Sequence, residues 1–232
     1  MYITQKKALL ERIKQRLLEL LLDFKNYSLA EAPSTQDPIL DAFNPPTSLI
    51  KHPLLKESFR VEWVRLGEVL SLEYGDSLPE YKRIIGKYPI MGSNGVVGYH
   101  NTFLIRSPAI IVGRKGSAGK VNYMDQDCYP IDTTYFVQLK IECSLKFVYY
   151  VLTNLQLEHL KTGGGVPGLN REHVYQILIP LPPLLIQEKI IHLISTLDNL
   201  IVLYAQQQTL LERITHHFRD QFAGELNDRE RF

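Results

Sequence analysis

Ala109-Ile110-Ile111-Val112-Gly113-Arg114-Lys115-Gly116-Ser117-Ala118-Gly119-Lys120-Val121 carries an apolar run into a glycine-rich, cationic stretch and out again. It looks like a phosphate loop, but two residues exclude that. A P-loop has Gly five residues before its Gly-Lys pair and Ser or Thr after it. Those places hold Arg114 and Val121. Without the magnesium-binding hydroxyl, nucleotide hydrolysis is set aside. The β-type residues of Ala109 to Val112 and Lys120 to Tyr123 then predict two strands, with Arg114 to Lys120 forming the connection or a stabilising β-turn.

Further short β-type runs surround this pair between Phe59 and about Pro183: Val61 to Leu66, Val96 to Tyr99, Tyr135 to Leu139 and Ile177 to Ile179. Gly and Pro punctuate them, and one helical stretch, roughly Leu145 to Leu160, interrupts them. The expected class is α+β, a mixed and strand-rich domain. Within it, Tyr81 to Met124 contains no Asp or Glu. Lys82, Arg83, Lys87, Arg106, Arg114, Lys115 and Lys120 alternate there with glycines and with Tyr81, Tyr88, Tyr99 and Tyr123. Such a segment can put cations on phosphates while Asn94, Asn101 and Ser117 reach base edges. A solvated basic face paired with Glu80, Asp125, Asp127 and Asp132 accounts for the same charges. The net charge of +1 does not by itself announce a polyanionic partner.

Both flanks are helical. In residues 4 to 24, Leu10, Ile13, Leu17, Leu20 and Phe24 recur at alternating spacings of three and four. After Pro180-Leu181-Pro182-Pro183, the stripe Ile190, Leu193, Leu197, Leu200, Tyr204, Gln207, Leu211, Ile214 and Phe218 keeps the same alternation, which predicts a coiled coil. Gln207 on that seam would cost stability while helping to set register and partner. Leu9-Leu10-Glu11-Arg12-Ile13 returns unchanged as Leu210-Leu211-Glu212-Arg213-Ile214, in the same heptad phase, as if one unit of a duplicated architecture were cut inside its helix. The expected division is an N-terminal spacer helix (1–25), a proline-rich arm or linker (26–58), the strand-rich domain (59–183) and a coiled-coil spacer and dimerisation helix (184–232).

No catalytic or metal-binding set emerges from the spacings. Cys128 and Cys143 lack the Cys-x-x-Cys pattern, so neither a disulfide framework nor a zinc knuckle is expected. His100, His159 and His173 lack i, i+4 spacing, and His216-His217 are adjacent on a helix, facing different ways. Asp76 with Glu80-Tyr81-Lys82 offers little metal geometry. Asn44-Pro45-Pro46-Thr47 resembles the Asn-Pro-Pro-aromatic motif of amino-methylating enzymes, but Thr47 cannot stack on a flipped base. Gly163-Gly164-Gly165-Val166-Pro167-Gly168, between Lys161 and Asn170-Arg171, is a flexible loop by composition and a second candidate contact with DNA. Charges scattered through the first 24 residues argue against a signal peptide or membrane span, so a cytoplasmic protein is expected.

Taken in order, several motifs resemble the specificity subunits of type I restriction-modification systems. They are Trp63-Val64-Arg65-Leu66-Gly67-Glu68-Val69, Tyr88-Pro89-Ile90-Met91-Gly92-Ser93-Asn94-Gly95-Val96-Val97-Gly98-Tyr99 and the stretch Ala109 to Val121. Ile179-Pro180-Leu181-Pro182-Pro183, Gln187-Glu188-Lys189-Ile190 and Leu197-Asp198 complete the set, and the likeness spans about residues 59 to 222. The resemblance implies a target recognition domain followed by a helical spacer, addressing DNA without catalysis. Methyl transfer, with S-adenosylmethionine, and cleavage would belong to separate modification and restriction subunits docked on the helices; this chain would bind no cofactor. Family members usually carry two recognition domains, so a single one implies a homodimer reading a split, palindromic target. Candidate DNA contacts, from charge, loop position and motif match, are Lys82, Arg83, Lys87, Asn94, Tyr99, His100, Arg114, Lys115, Ser117, Lys120, Lys161, Asn170 and Arg171.

Overall fold

The computed structural model describes residues 2–22, 28–31, 47–162 and 168–229. Phe24, most of the Asn44–Thr47 motif and the glycine loop 163–167 lie outside the described residues. The chain forms two compact units, one of Leu21–Ile191 and one of Met1–Leu20 with His192–Phe232.

The larger unit is built on three sheets, in keeping with the α+β expectation. In the first, the order is β1 (Ser28–Glu31), β2 (Thr47–His52), β3 (Glu57–Arg65), β13 (Leu178–Leu181), all antiparallel. The segment expected as an arm or linker thus contributes two strands, and β2 pairs with β3 along its whole length from Thr47 opposite Glu62 to His52 opposite Glu57. In the second, antiparallel sheet the order is β4 (Leu70–Tyr74), β10 (Thr134–Leu139), β7 (Ala109–Gly113), β8 (Val121–Met124). Every residue of β7 is buried, which is why its letters run apolar without alternation. The third joins β6 (Gly95–His100), β5 (Tyr88–Gly92) and β9 (Tyr129–Pro130). A two-stranded ribbon, β11 (Lys161–Thr162) and β12 (Gly168–Leu169), flanks the glycine loop.

Helices lock these sheets together. A short helix, α2 (Leu66–Val69), follows β3 directly, and Gly67 lies where a Cβ would stand 2.8 Å from that of Tyr175. Helix α3 (Leu145–Asn154) starts on Ser144, whose hydroxyl accepts from the Phe147 amide, and buries Phe147, Val148, Tyr150, Val151 and Leu152. It stops at Asn154 because Gln156 turns left-handed (φ 49°), and Leu157–Leu160 continues as a 3-10 turn. Met91, Ala109, Ile111, Met124 and Cys128 form one apolar cluster, with Ile105 and Phe136 packed against it. The buried Gln187 amide accepts from the Ser144 N–H (2.9 Å) and donates to the Pro182 carbonyl (2.9 Å), tying the start of the last helix to the start of α3.

The smaller unit pairs α1 (Tyr2–Leu22) with the last helix, α5, whose span of Leu184–Arg229 begins where the sequence places the spacer. At about 1.5 Å per residue its 46 residues extend roughly 69 Å. Lys14 binds Asp198 (2.5 Å) and the Lys6 ammonium lies 5.8 Å from the Tyr204 ring centroid, so the two helices run antiparallel. Leu18, Ile194 and Ile201 are buried in this unit, with Leu10, Leu17, Leu197 and Tyr204 half-buried. Of the other seam positions, Ile190 is buried in the larger unit, while Ile13, Leu193, Leu200, Gln207, Leu211, Ile214 and Phe218 are exposed in the single chain. No described helix is long and apolar enough to cross a membrane.

Candidate nucleic-acid interface

Four segments of the larger unit are stitched together by hydrogen bonds. The Ser93-Asn94 turn between β5 and β6 is held by the Lys120 ammonium, which donates to the Asn94 backbone oxygen (2.8 Å) and to its Oδ1 (3.0 Å). The Ser93 hydroxyl donates to the Thr133 carbonyl (2.6 Å), the same oxygen that accepts from the Arg114 and Lys115 amides. The Arg114 to Lys120 loop in turn receives the Leu169 amide on the Arg114 carbonyl (2.9 Å), and Lys115 bridges to Gly168. The strands that carry the glycine loop therefore rise beside the cationic loop. Asn94, Arg114, Lys115, Ser117, Lys120, Lys161, Asn170 and Arg171 belong to these connections.

Close approach explains the glycines. Gly119 has φ +88°, and a Cβ there would stand 2.4 Å from the Glu158 amide nitrogen, so the loop lies on the 3-10 turn with no room for a side chain. Gly116, at φ +73°, faces open space and supplies only the left-handed bend.

A second group of candidates sits at the other end of the β5–β6 hairpin, where Tyr88 opposes His100. About four residues of strand at roughly 3.3 Å each separate it from the Asn94 turn. His100 is buried; its Nδ1 accepts from the Ile84 amide (3.1 Å) and its ring meets Tyr129 edge-on, so it organises the fold. Arg83 donates through Nε to the Leu78 carbonyl (3.2 Å). The ammonium groups of Lys82 and Lys87 lie over the rings of Tyr81 and Tyr88, and Tyr99 is exposed. Structure likewise gives Asn170 a fold duty, since its side chain accepts from the Glu172 amide (2.9 Å) at the start of α4 (Arg171–Tyr175).

Tyr74 is the residue that sequence reasoning missed. It ends β4, is half exposed, and has the Arg114 guanidinium 5.1 Å and the Arg171 guanidinium 5.0 Å from its ring centroid. The ring of its cross-strand neighbour Tyr135 lies 5.2 Å away at a tilt of 55°, and the Tyr135 hydroxyl donates to the Leu169 carbonyl (3.2 Å). Burial, then the neighbouring Tyr74, push the Tyr135 hydroxyl up to about 12 against the opposing pull of Arg114 and Arg171. At physiological pH it stays a protonated donor. Arg114 spends Nε and Nη2 on the Asp132 carbonyl (2.9 and 2.6 Å), and Arg171 spends Nη1 on that of Leu72 (3.2 Å). The only sequence signal for Tyr74 is its position at the end of the alternating Leu-Ser-Leu-Glu-Tyr run.

Among the described residues no group of His, Cys, Asp or Glu is placed to hold a metal. A cleft of about 360 Å³ lined by Arg60, Glu62, Glu142 and Gln187 mixes both charges, unlike the basic loops. Burial pushes the Cys128 thiol up to about 12, helped by Asp127, and the Cys143 thiol up to about 11.

Comparison with known proteins matches residues 60–213, two thirds of the chain, to a family model described as the type I restriction modification DNA specificity domain. A curated Haemophilus influenzae protein, provisionally named a type I restriction enzyme specificity subunit, is 27% identical over 152 residues, which is 63% of this chain and 40% of that protein. A Mycoplasma pneumoniae protein, provisionally named a type I specificity subunit, is 28% identical over 153 residues, covering 61% and 41%. The chain thus spans about two fifths of the length of these relatives. Among solved structures, the S subunit of a type I restriction-modification system from M. genitalium aligns with TM-score 0.55 at 22% identity over 60% of this chain and 40% of that one. The HsdS subunit from Thermoanaerobacter tengcongensis aligns with TM-score 0.55 at 16% identity, covering 89% and 48%.

Proposed function

Because the chain belongs to the type I restriction-modification DNA specificity family, we propose that it binds duplex DNA through the stitched loops of its larger unit and reads one half of a split target. The observation that carries this is the convergence of Asn94, Arg114, Lys115, Lys120 and the Lys161–Arg171 connection, established by the bonds from Lys120 to Asn94 and from Leu169 to Arg114. Arg and Lys there would neutralise phosphates, while Asn94 and Ser117 would approach base edges. Lys82, Arg83, Lys87 and Tyr99 would extend the contact along the hairpin. The chain performs no chemistry in this reading. Modification subunits carrying S-adenosylmethionine, and restriction subunits, would dock on it in the cytoplasm.

The exposed stripe Leu193, Leu200, Gln207, Leu211, Ile214 and Phe218 supports a second part of the reading, a homodimer joined through α5. A two-fold dimer imposes a palindromic, interrupted target. A helix of roughly 69 Å corresponds to about two turns of duplex at ~34 Å per turn, leaving several unread base pairs between half-sites.

Two measurements test this. Binding of the purified chain to duplex DNA should weaken with salt by about 0.9 in log affinity per phosphate contact per log salt. Affinity that is absent, or indifferent to salt, would leave a coiled-coil scaffold with a protein-binding domain as the better account. Light scattering over a dilution series should show a mass near twice 26.7 kDa. A monomer at every concentration would remove the palindromic target with the dimer.

A further inference from the structure

The geometry points to Arg114, Tyr74 and Arg171 as a clamp for one or two backbone phosphates of DNA, with Tyr74 as the positioning residue. The clamp rests on the DNA-binding reading above and gives that surface a specific ligand, a phosphodiester in place of a base edge.

Two guanidinium groups within 5.1 Å of one ring repel each other, and the repulsion is largest when no anion sits between them. Among the described residues only one has a carboxylate beside it: Arg171 Nε stands 3.6 Å from Glu172, both side chains part-exposed, and Arg114 has no carboxylate partner within 4.0 Å there. Their other anchors are neutral. The Asp132 and Leu72 carbonyls take hydrogen bonds, and the half-exposed Tyr74 ring offers its π system to both cations. This anchoring uses Nε and Nη2 of Arg114 and Nη1 of Arg171. Each guanidinium keeps an amino group with no partner among the described residues, Nη1 of Arg114 and Nη2 of Arg171. Planar forks held rigid with donors to spare suit phosphate oxygens, which accept from several directions. The two arginines come from separate elements, Arg114 from the loop after β7 and Arg171 from the start of α4, and Tyr74, a ring on a paired strand end, fixes their separation better than another flexible side chain would. Tyr135, buried beneath Tyr74 and bonded to the Leu169 carbonyl, keeps that ring from tilting inward.

A phosphate clamp and a base reader differ in what their loss does. The full chain is titrated with fluorescent duplexes of several unrelated sequences over a range of sodium chloride concentrations. Arg114→Gln with Arg171→Gln should weaken binding to every duplex by the same factor, at least about tenfold. It should also flatten the plot of log affinity against log salt by about 1.8, or about 0.9 if the pair shares one phosphate. Tyr74→Phe should bind as the parent does, since the ring face is kept, whereas Tyr74→Ala should lose affinity for all sequences alike. Lys51→Gln, an exposed cation elsewhere, should change neither quantity. Should Arg114→Gln fail to fold for want of its Asp132 bonds, Arg171→Gln alone carries the test, with an equal loss of affinity for every duplex and a slope change of up to about 0.9. An unchanged slope, or a loss confined to particular sequences, in variants that still bind DNA overturns the clamp and leaves the DNA-binding reading standing. A parent chain that binds no duplex at any salt overturns both.

Discussion

The two units of this chain spend the same kind of side chain in opposite ways. In the larger unit Ile110, Ile111 and Val112 are wholly buried, and their strand β7 is paired on both sides, with β10 and β8. In the smaller unit α5, at 46 residues, outruns its 21-residue partner α1 and leaves Leu203, Leu211, Ile214 and Phe218 between 43% and 58% exposed. The larger unit buries a continuous sheet core within one chain, and the far part of α5 carries apolar side chains that the described residues of one chain do not cover. Exposed apolar residues in helical register are the usual mark of an interface. Folding and assembly should therefore answer to different residues.

The sharpest way to break that contrast is to damage the buried core of the larger unit. Ile111→Ala removes a wholly buried side chain from the Met91–Cys128 cluster and should lower unfolding free energy by about 2–5 kcal/mol. Denaturant titration measures it, and a cost under about 1 kcal/mol would mean that the sheet is far less tightly packed than its burial indicates. Next in size is Gln187→Leu, which keeps the volume but strips partners from the Ser144 amide and the Pro182 carbonyl. Leaving such groups unsatisfied costs about 1–3 kcal/mol, read in the same titration. Gly119→Ala should follow, at about 1 kcal/mol or somewhat more, because a methyl at φ +88° would meet the Glu158 backbone. Its diagnostic sign is a joint loss of stability and DNA affinity, since the cationic loop would lift from the 3-10 turn; unchanged affinity would detach that loop from the interface.

The division between local and distant information explains how far the sequence could be read. Strands β7, β8 and β10 and helix α3 declare themselves in contiguous letters, as does the start of α5 after Pro182-Pro183. Strand β5 does not, because Pro89 and Gly92 read as breakers although pairing with β6 and β9 overrides them. The glycine and cation clusters were visible, and the stitching of Asn94 to Lys120 and of Leu169 to Arg114 was not, since hydrogen bonds between remote loops leave no spacing pattern. Tyr74 was hidden for the same reason: both its arginines come from other connections. On α5 the heptad period was legible while the choice of face was not. Ile194 and Ile201 lie next to Leu193 and Leu200, so the letters contain two adjacent apolar stripes, and the single chain buries the Ile194–Ile201 stripe.

That doubled stripe leads to the smallest expected effect on stability. Leu211 and Ile214 are each 43% exposed, and α1, at 21 residues, is too short to pair with the whole of the 46-residue α5. Leu211→Ala with Ile214→Ala should therefore change the unfolding free energy of the dilute monomer by no more than about 0.5 kcal/mol per site, the range for surface substitutions. A slightly higher helix propensity of Ala over Ile works in the same direction as neutrality. In a dimer the same two residues would be seam positions, and truncating them should raise the concentration at which the scattering mass begins to fall. If the double variant instead loses several kcal/mol as a monomer, those side chains are buried within one chain in solution and the open seam does not exist. If it keeps both its stability and its dimer mass, the second chain lies on another face, and Leu203 and Leu210 become the next positions to truncate.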